Sequence, residues 1–95
     1  MATIYNSTTA SLGAVSAEIL PARPNRTLLT ITNLSTTDTA YLSLMDASVA
    51  GTGMAIGPGN ALFMEVGEAF NESLNGITTG AAVDLSIEER YEDTV

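Results

Sequence analysis

The chain has 95 residues, 45% of them hydrophobic and 15% charged, with 11 acidic residues against three arginines, no histidine and no cysteine, for a formal net charge of −8. That length supports one domain, burying roughly two-thirds of its extended-chain surface, and the composition is too apolar for a disordered segment. The acidic balance disfavours nucleic acid and anionic membrane as partners, and the lack of cysteine excludes disulfide staples and thiolate metal sites within this sequence.

Residues 1–13 are rich in Ser, Thr, Ala and Asn, with only Ile4, Tyr5 and Leu12 as apolar anchors. They read as an extended N-terminal arm, free to grip a neighbour and dispensable for folding. The first 15 residues lack a basic region and an apolar run of signal-peptide length, and no stretch is apolar enough to span a bilayer, so neither secretion by the usual route nor membrane insertion is expected. Residues 14–20 alternate loosely before Pro21 and predict a first strand. The ARPN segment at 22–25 turns the chain.

TLLTITN at 27–33 is the clearest strand, with Leu29 and Ile31 on one face and Leu28, Thr30 and Thr32 on the other. AYLSLM at 40–45 alternates again after the STTDT turn and completes a hairpin. A short apolar patch at 54–56 precedes GPGN at 57–60, a strong turn signal. ALFMEV at 61–66 is the next strand. Residues 70–74 read as a short strand or turn, and the Asn75-Gly76 step suggests a tight turn. In AAVDLSIE at 81–88, Ala81, Val83, Leu85 and Ile87 face inward and Asp84, Ser86 and Glu88 face water.

These segments predict an all-β fold, a small β-sandwich or barrel of six to seven short, mostly antiparallel strands. The domain is expected over 14–91 and an acidic tail over 92–95.

Catalysis is not expected. Without His, Lys or Cys the usual bases for a Ser or Thr nucleophile are missing, and the carboxylates Glu65, Glu68, Glu72 and Asp84 have no evident cleft to raise a pKa. Asp46, Glu65 and the run Glu88, Glu89, Glu92, Asp93 lack the ligand spacing of a calcium loop and read as solvated acids, so neither metal nor cofactor is predicted. The glycines of GTGMAIGPG lack the lysine and following helix of a phosphate loop. Asn6, Asn25, Asn33 and Asn71 each open an Asn-x-Ser/Thr triplet, a frequent coincidence in a Ser/Thr-rich chain. Arg26, at the start of the clearest strand, is predicted to form a structural ion pair across the sheet with Glu88 or Glu65. Met45, Met54, Phe63 and Met64 suit a core, and around glycine loops they could equally form an adaptable contact surface.

The segments NRTLLTITNLSTTDTAYLSL (25–44), GTGMAIGPGNA (51–61) and NGITTGAAVDLSIEE (75–89) together resemble a pattern of small virion proteins of tailed bacteriophages, over roughly residues 20–89. Arg26, Asn33, Ile56, Pro58, Gly59, Gly76, Ile77 and Glu88 occupy its places. The resemblance implies a β-sandwich on the capsid surface of the virion: a decoration, or cement, protein that binds the major capsid protein and stabilises the head, as a homo-oligomer (dimer or trimer). A head-to-tail connector or fibre-attachment component is the alternative in the same setting. A carbohydrate- or calcium-binding β-module is the alternative of another class. For the decoration reading the expected partner interface comprises Ile4, Tyr5, Met54, Ile56 and Phe63.

Overall fold

The computed structural model describes residues 2–23, 25–44, 51, 53–64, 72–80 and 82–93. Among them are eight strands: β1 Ala2–Leu12, β2 Ala17–Leu20, β3 Arg26–Asn33, β4 Ala40–Leu44, β5 Met54–Ile56, β6 Ala61–Met64, β7 Leu74–Thr78 and β8 Val83–Asp93. They form two four-stranded sheets, in the orders β1-β8-β3-β6 and β2-β7-β4-β5. Every pairing is antiparallel.

The first strand pairs with the eighth, the second with the seventh, the third with the sixth and the fourth with the fifth. A chain folded on itself as one long nested hairpin, then wrapped into two facing sheets, gives this topology, the jelly roll. The all-β sandwich is as the sequence indicates, with two strands more than its lower count.

Alternation puts one face of each strand into the core. Leu29 and Ile31 of β3, Leu42 of β4, Leu74 of β7, and Val83, Leu85 and Ile87 of β8 are fully buried, joined by Leu12, Leu20, Ala40 and Ile56. Met54, Leu62 and Met64 pack partly buried against this cluster. Phe63, between Leu62 and Met64, points the other way and is 52% exposed. The inward place expected for Ala81, the core role of Met45 and the Glu65 pairing lie outside the described residues.

Three expectations are corrected. β3 and β4 form no hairpin, because the chain crosses between the sheets there. Residues 2–12 are no free arm: they pair in register with β8 along their whole length, from Ala2 opposite Asp93 to Leu12 opposite Val83. The inward positions of β1 are Ala2, Ile4, Asn6, Thr8, Ala10 and Leu12, so no sustained apolar alternation announces it; Leu12 is buried in the core and Ala10 packs partly buried against it. The Asn75-Gly76 step is not a turn but the middle of β7, paired with β2 on one side and β4 on the other. Glycine is needed there for space. A Cβ on Gly76 would lie 2.7 Å from Leu12 Cδ2 and 3.1 Å from Leu42 Cδ2.

The GPGN turn is as expected, with Asn60 N donating to Gly57 O at 3.1 Å and Gly59 at φ 73°. Proline second and a positive-φ glycine third fit a type II turn.

Two stability outcomes follow. Gly76→Ala overpacks the sandwich and should cost about 1–3 kcal/mol in denaturant unfolding, partly restored by Leu12→Ala in the same chain; an unchanged midpoint would contradict the packing described. Deleting residues 2–12 strips Leu12 and Asn6 from the fold and uncovers one edge of β8, so the truncated chain should lose its cooperative thermal transition.

Candidate functional site

β8 is inward at Val83, Leu85 and Ile87, and the same period makes the next inward residue Glu89, a carboxylate that is 2% exposed. An isolated buried carboxylate is costly, and the surrounding chain compensates it. Arg26 Nε donates to Glu89 Oε2 at 3.0 Å and Arg23 Nε to Oε1 at 2.9 Å. Asn6 Nδ2, directly across from Glu89 on β1, donates to Oε1 at 3.1 Å. The Arg26 guanidinium is itself wholly buried and also donates to Pro21 O at 2.8 Å and Glu72 O at 3.3 Å. Arg23, 29% exposed in its side chain, caps the group and stacks over the Tyr91 ring at 4.2 Å from its centroid, a cation–π contact.

Arg26 therefore pairs with Glu89 and not Glu88. The reason is a bulge in β3: Leu28 pairs with Arg90, but Arg26 pairs with Tyr91, leaving Thr27 as the extra residue. Strict alternation from Leu29 would send Arg26 outward, toward the Glu88 face; the bulge returns it to the core. Glu88 is exposed on the outer face, where Ser7 Oγ donates to it at 2.7 Å.

Burial acts to raise the pKa of Glu89, but the hydrogen bonds from Asn6, Arg23 and Arg26, with the charge of Arg23, outweigh it and hold the carboxyl below its ordinary 4.5. Three donors, two of them cationic, thus favour the charged form of this carboxylate. The cluster ties β1, β3, β8 and the segment before β3 together.

A second hub is Asn33, at the end of β3 and fully buried. Its Nδ2 donates to Asp38 O and Ile56 O at 2.8 and 2.9 Å, and its Oδ1 accepts from Ser35 N at 2.8 Å. Its backbone pairs with Asn60 and Gly59. One residue thus fixes the β3–β4 connection against β5 through its side chain and holds the GPGN turn through its backbone. Among the described residues, no buried side-chain nitrogen or oxygen lacks a partner.

The outer face of the β1-β8-β3-β6 sheet is the candidate surface. Down its length, hydroxyls of β1 hold carboxylates of β8: Thr3 donates to Glu92 at 2.9 Å, Ser7 to Glu88, and Ser11 to Asp84. Tyr5, opposite Arg90, is 74% exposed, and Phe63 stands on the same face three strands away, opposite Thr30. The alternation splits the acidic run, Glu88 and Glu92 facing outward and Glu89 inward. No group of three or more potential metal ligands occurs among the described residues.

The five expected interface residues do not form one patch. Tyr5 and Phe63 share the outer face. Ile4 is half-buried on the inward side of β1, opposite Tyr91. Met54 is half-buried against the core in the other sheet. Ile56 is 3% exposed and belongs to the core, which corrects its place in an interface: β5 is short and inward at that position.

No family model matches the chain, and no curated protein does. Among solved structures, it is similar to a chain from the work titled "Bacillus endospore appendages form a novel family of disulfide-linked pili", with a TM-score of 0.53 and 15% sequence identity over 94% of this chain and 87% of that one. A likeness at that identity concerns the fold.

If Glu89 is the central acceptor, Glu89→Gln should destabilise the protein by about 3 kcal/mol, since it leaves a buried guanidinium without its counter-charge, whereas Glu88→Gln should shift denaturant midpoints little. The pH dependence has a defined sign. With the folded-state pKa depressed, the unfolded chain binds more protons below pH 4.5, so this contribution is whole above that value and is lost as pH falls through the folded pKa. The acid limb of stability against pH should be shallower in Glu89→Gln; an equal slope would assign it to other carboxylates.

Proposed function

We propose that the protein is a structural subunit that decorates the outer surface of a tailed-phage capsid, binding the major capsid protein through the outer face of its β1-β8-β3-β6 sheet. The observation that carries this reading is that face itself. It is a continuous sheet surface on which Tyr5 and Phe63 stand exposed beside carboxylates already held in place by β1 hydroxyls. Pre-ordered carboxylates and rigid aromatic groups lose little conformational freedom on docking, which favours contact with a basic protein surface.

Two further points support a particle-building role. The interior cations and the buried carboxylate are engaged with one another, so what the domain offers a partner is its surface. A chain of similar architecture comes from work on pili, which are assemblies of protein. Those pili are disulfide-linked, whereas the present sequence contains no cysteine. A connector or fibre-attachment component fits the same surface and differs in copy number.

Quantitative mass spectrometry of purified particles is the test. Hundreds of copies per particle are expected; a handful would indicate a connector, and absence would end the virion reading. The face is tested by the double variant Tyr5→Ser, Phe63→Ser, which should weaken binding to undecorated shells by about tenfold or more, the equivalent of about 1.4 kcal/mol, without moving the melting temperature. Unchanged binding would place the contact elsewhere.

A further inference from the structure

The two sheets have four edges, formed by β1, β6, β2 and β5. An edge strand presents unpaired backbone donors and acceptors and is ordinarily kept short, charged or interrupted by proline. β5 has three residues and is followed closely by Pro58; β6 has four; β2 has four, includes Glu18 and runs into Pro21. β1 is different. Its 11 residues, ATIYNSTTASL, carry no charge and no proline, and among the described residues only β8 pairs with it. In an antiparallel strand about half the residues turn both backbone groups away from the existing partner.

We infer that the free edge of β1 pairs with β1 of a second copy, antiparallel about a two-fold axis, joining two four-stranded sheets into one of eight. Charge selects this edge, and the two-fold selects the copy. Each chain carries −8, so most approaches between copies set carboxylates against each other. β1 is a long uncharged exception. The nearest acids, Asp84, Glu88 and Glu92, sit one strand in, on β8, each accepting a hydrogen bond from a β1 hydroxyl. With β1 against β1, the two β8 strands stand three strand spacings apart, roughly 14 Å, well beyond the screening length of about 8 Å at physiological salt. A two-fold also lets one self-complementary strand serve both copies. Exposed Ser7, Thr8 and Thr9 lie near the strand's centre, where the axis would pass.

The test uses the purified full chain and stands independently of the capsid reading. Sedimentation equilibrium from micromolar to millimolar concentration should show a monomer–dimer equilibrium. Ser7→Lys with Thr9→Lys should weaken it at least tenfold, even though the added cations reduce the overall repulsion between copies. Thr79→Lys with Ala82→Lys, an equal charge change on exposed residues at the far end of the β7–β8 connection, should not weaken it. Circular dichroism melting checks that each variant is folded. In the unmodified chain, amide exchange in β1 should slow as concentration rises. A monomer at all concentrations, a dimer indifferent to the β1 lysines, or β1 exchange independent of concentration would each overturn the inference.

Discussion

The carboxylate of Glu89 lies in the protein interior, and much of the surrounding arrangement exists to make that tolerable. Its two oxygens are met by Arg26 from β3, Arg23 from the turn before it and Asn6 from β1. Removing a charged pair from water costs several kcal/mol per ion, recovered only when geometry is good and the remaining donors are satisfied. Arg26 meets that condition through the carbonyls of Pro21 and Glu72 as well. Satisfying one carboxylate thus fixes the register of β1 on β8, the bulge in β3, the path between β2 and β3, and the approach to β7. The aliphatic core supplies most of the burial but is indifferent to which strand lies beside which; the ionic group is not.

The period-2 pattern made much of the sandwich legible. Leu29 and Ile31, Ala40 and Leu42, and Val83, Leu85 and Ile87 are inward as their spacing indicates. Glu89 continues that phase, and the inward carboxylate could have been found by extending it two residues past Ile87. Its partner could not be assigned so simply, because the bulge at Thr27 inverts the face of Arg26, and a bulge leaves no mark in a run such as RTLL. β1 was illegible for a related reason. At the rim of a sandwich the inward face need not be apolar, so Asn6 and Thr8 serve where a central strand would need Leu or Val. Gly76 misled in the opposite way: the Asn-Gly step has the chemistry of a turn, but here glycine answers the crowding of Leu12 from the facing sheet and Leu42 from the adjacent strand.

The residues that carry the resemblance to phage virion proteins have, in this structure, mostly architectural work. Arg26 holds Glu89, Asn33 binds two loops, Ile56 is core, Gly59 takes positive φ and Gly76 makes room. Together these residues close turns of the nested sandwich, make room in its core and pair its interior charge. Such a scaffold serves many tasks, so function has to be argued from surfaces.

On those surfaces the distribution of charge matters more than its total. The acids of β8 alternate with its core residues, so they line the outer face, one strand in from the edge, and the hydroxyls of β1 hold them there. The face is therefore electronegative while the long edge beside it is neutral. A contact across the face meets ordered carboxylates, and a contact along the edge meets backbone donors and acceptors. The two kinds of contact use perpendicular directions of the same sheet, one normal to it and one within its plane. The edge offers backbone donors and acceptors and the face offers side chains, so the two surfaces of this sheet present different groups.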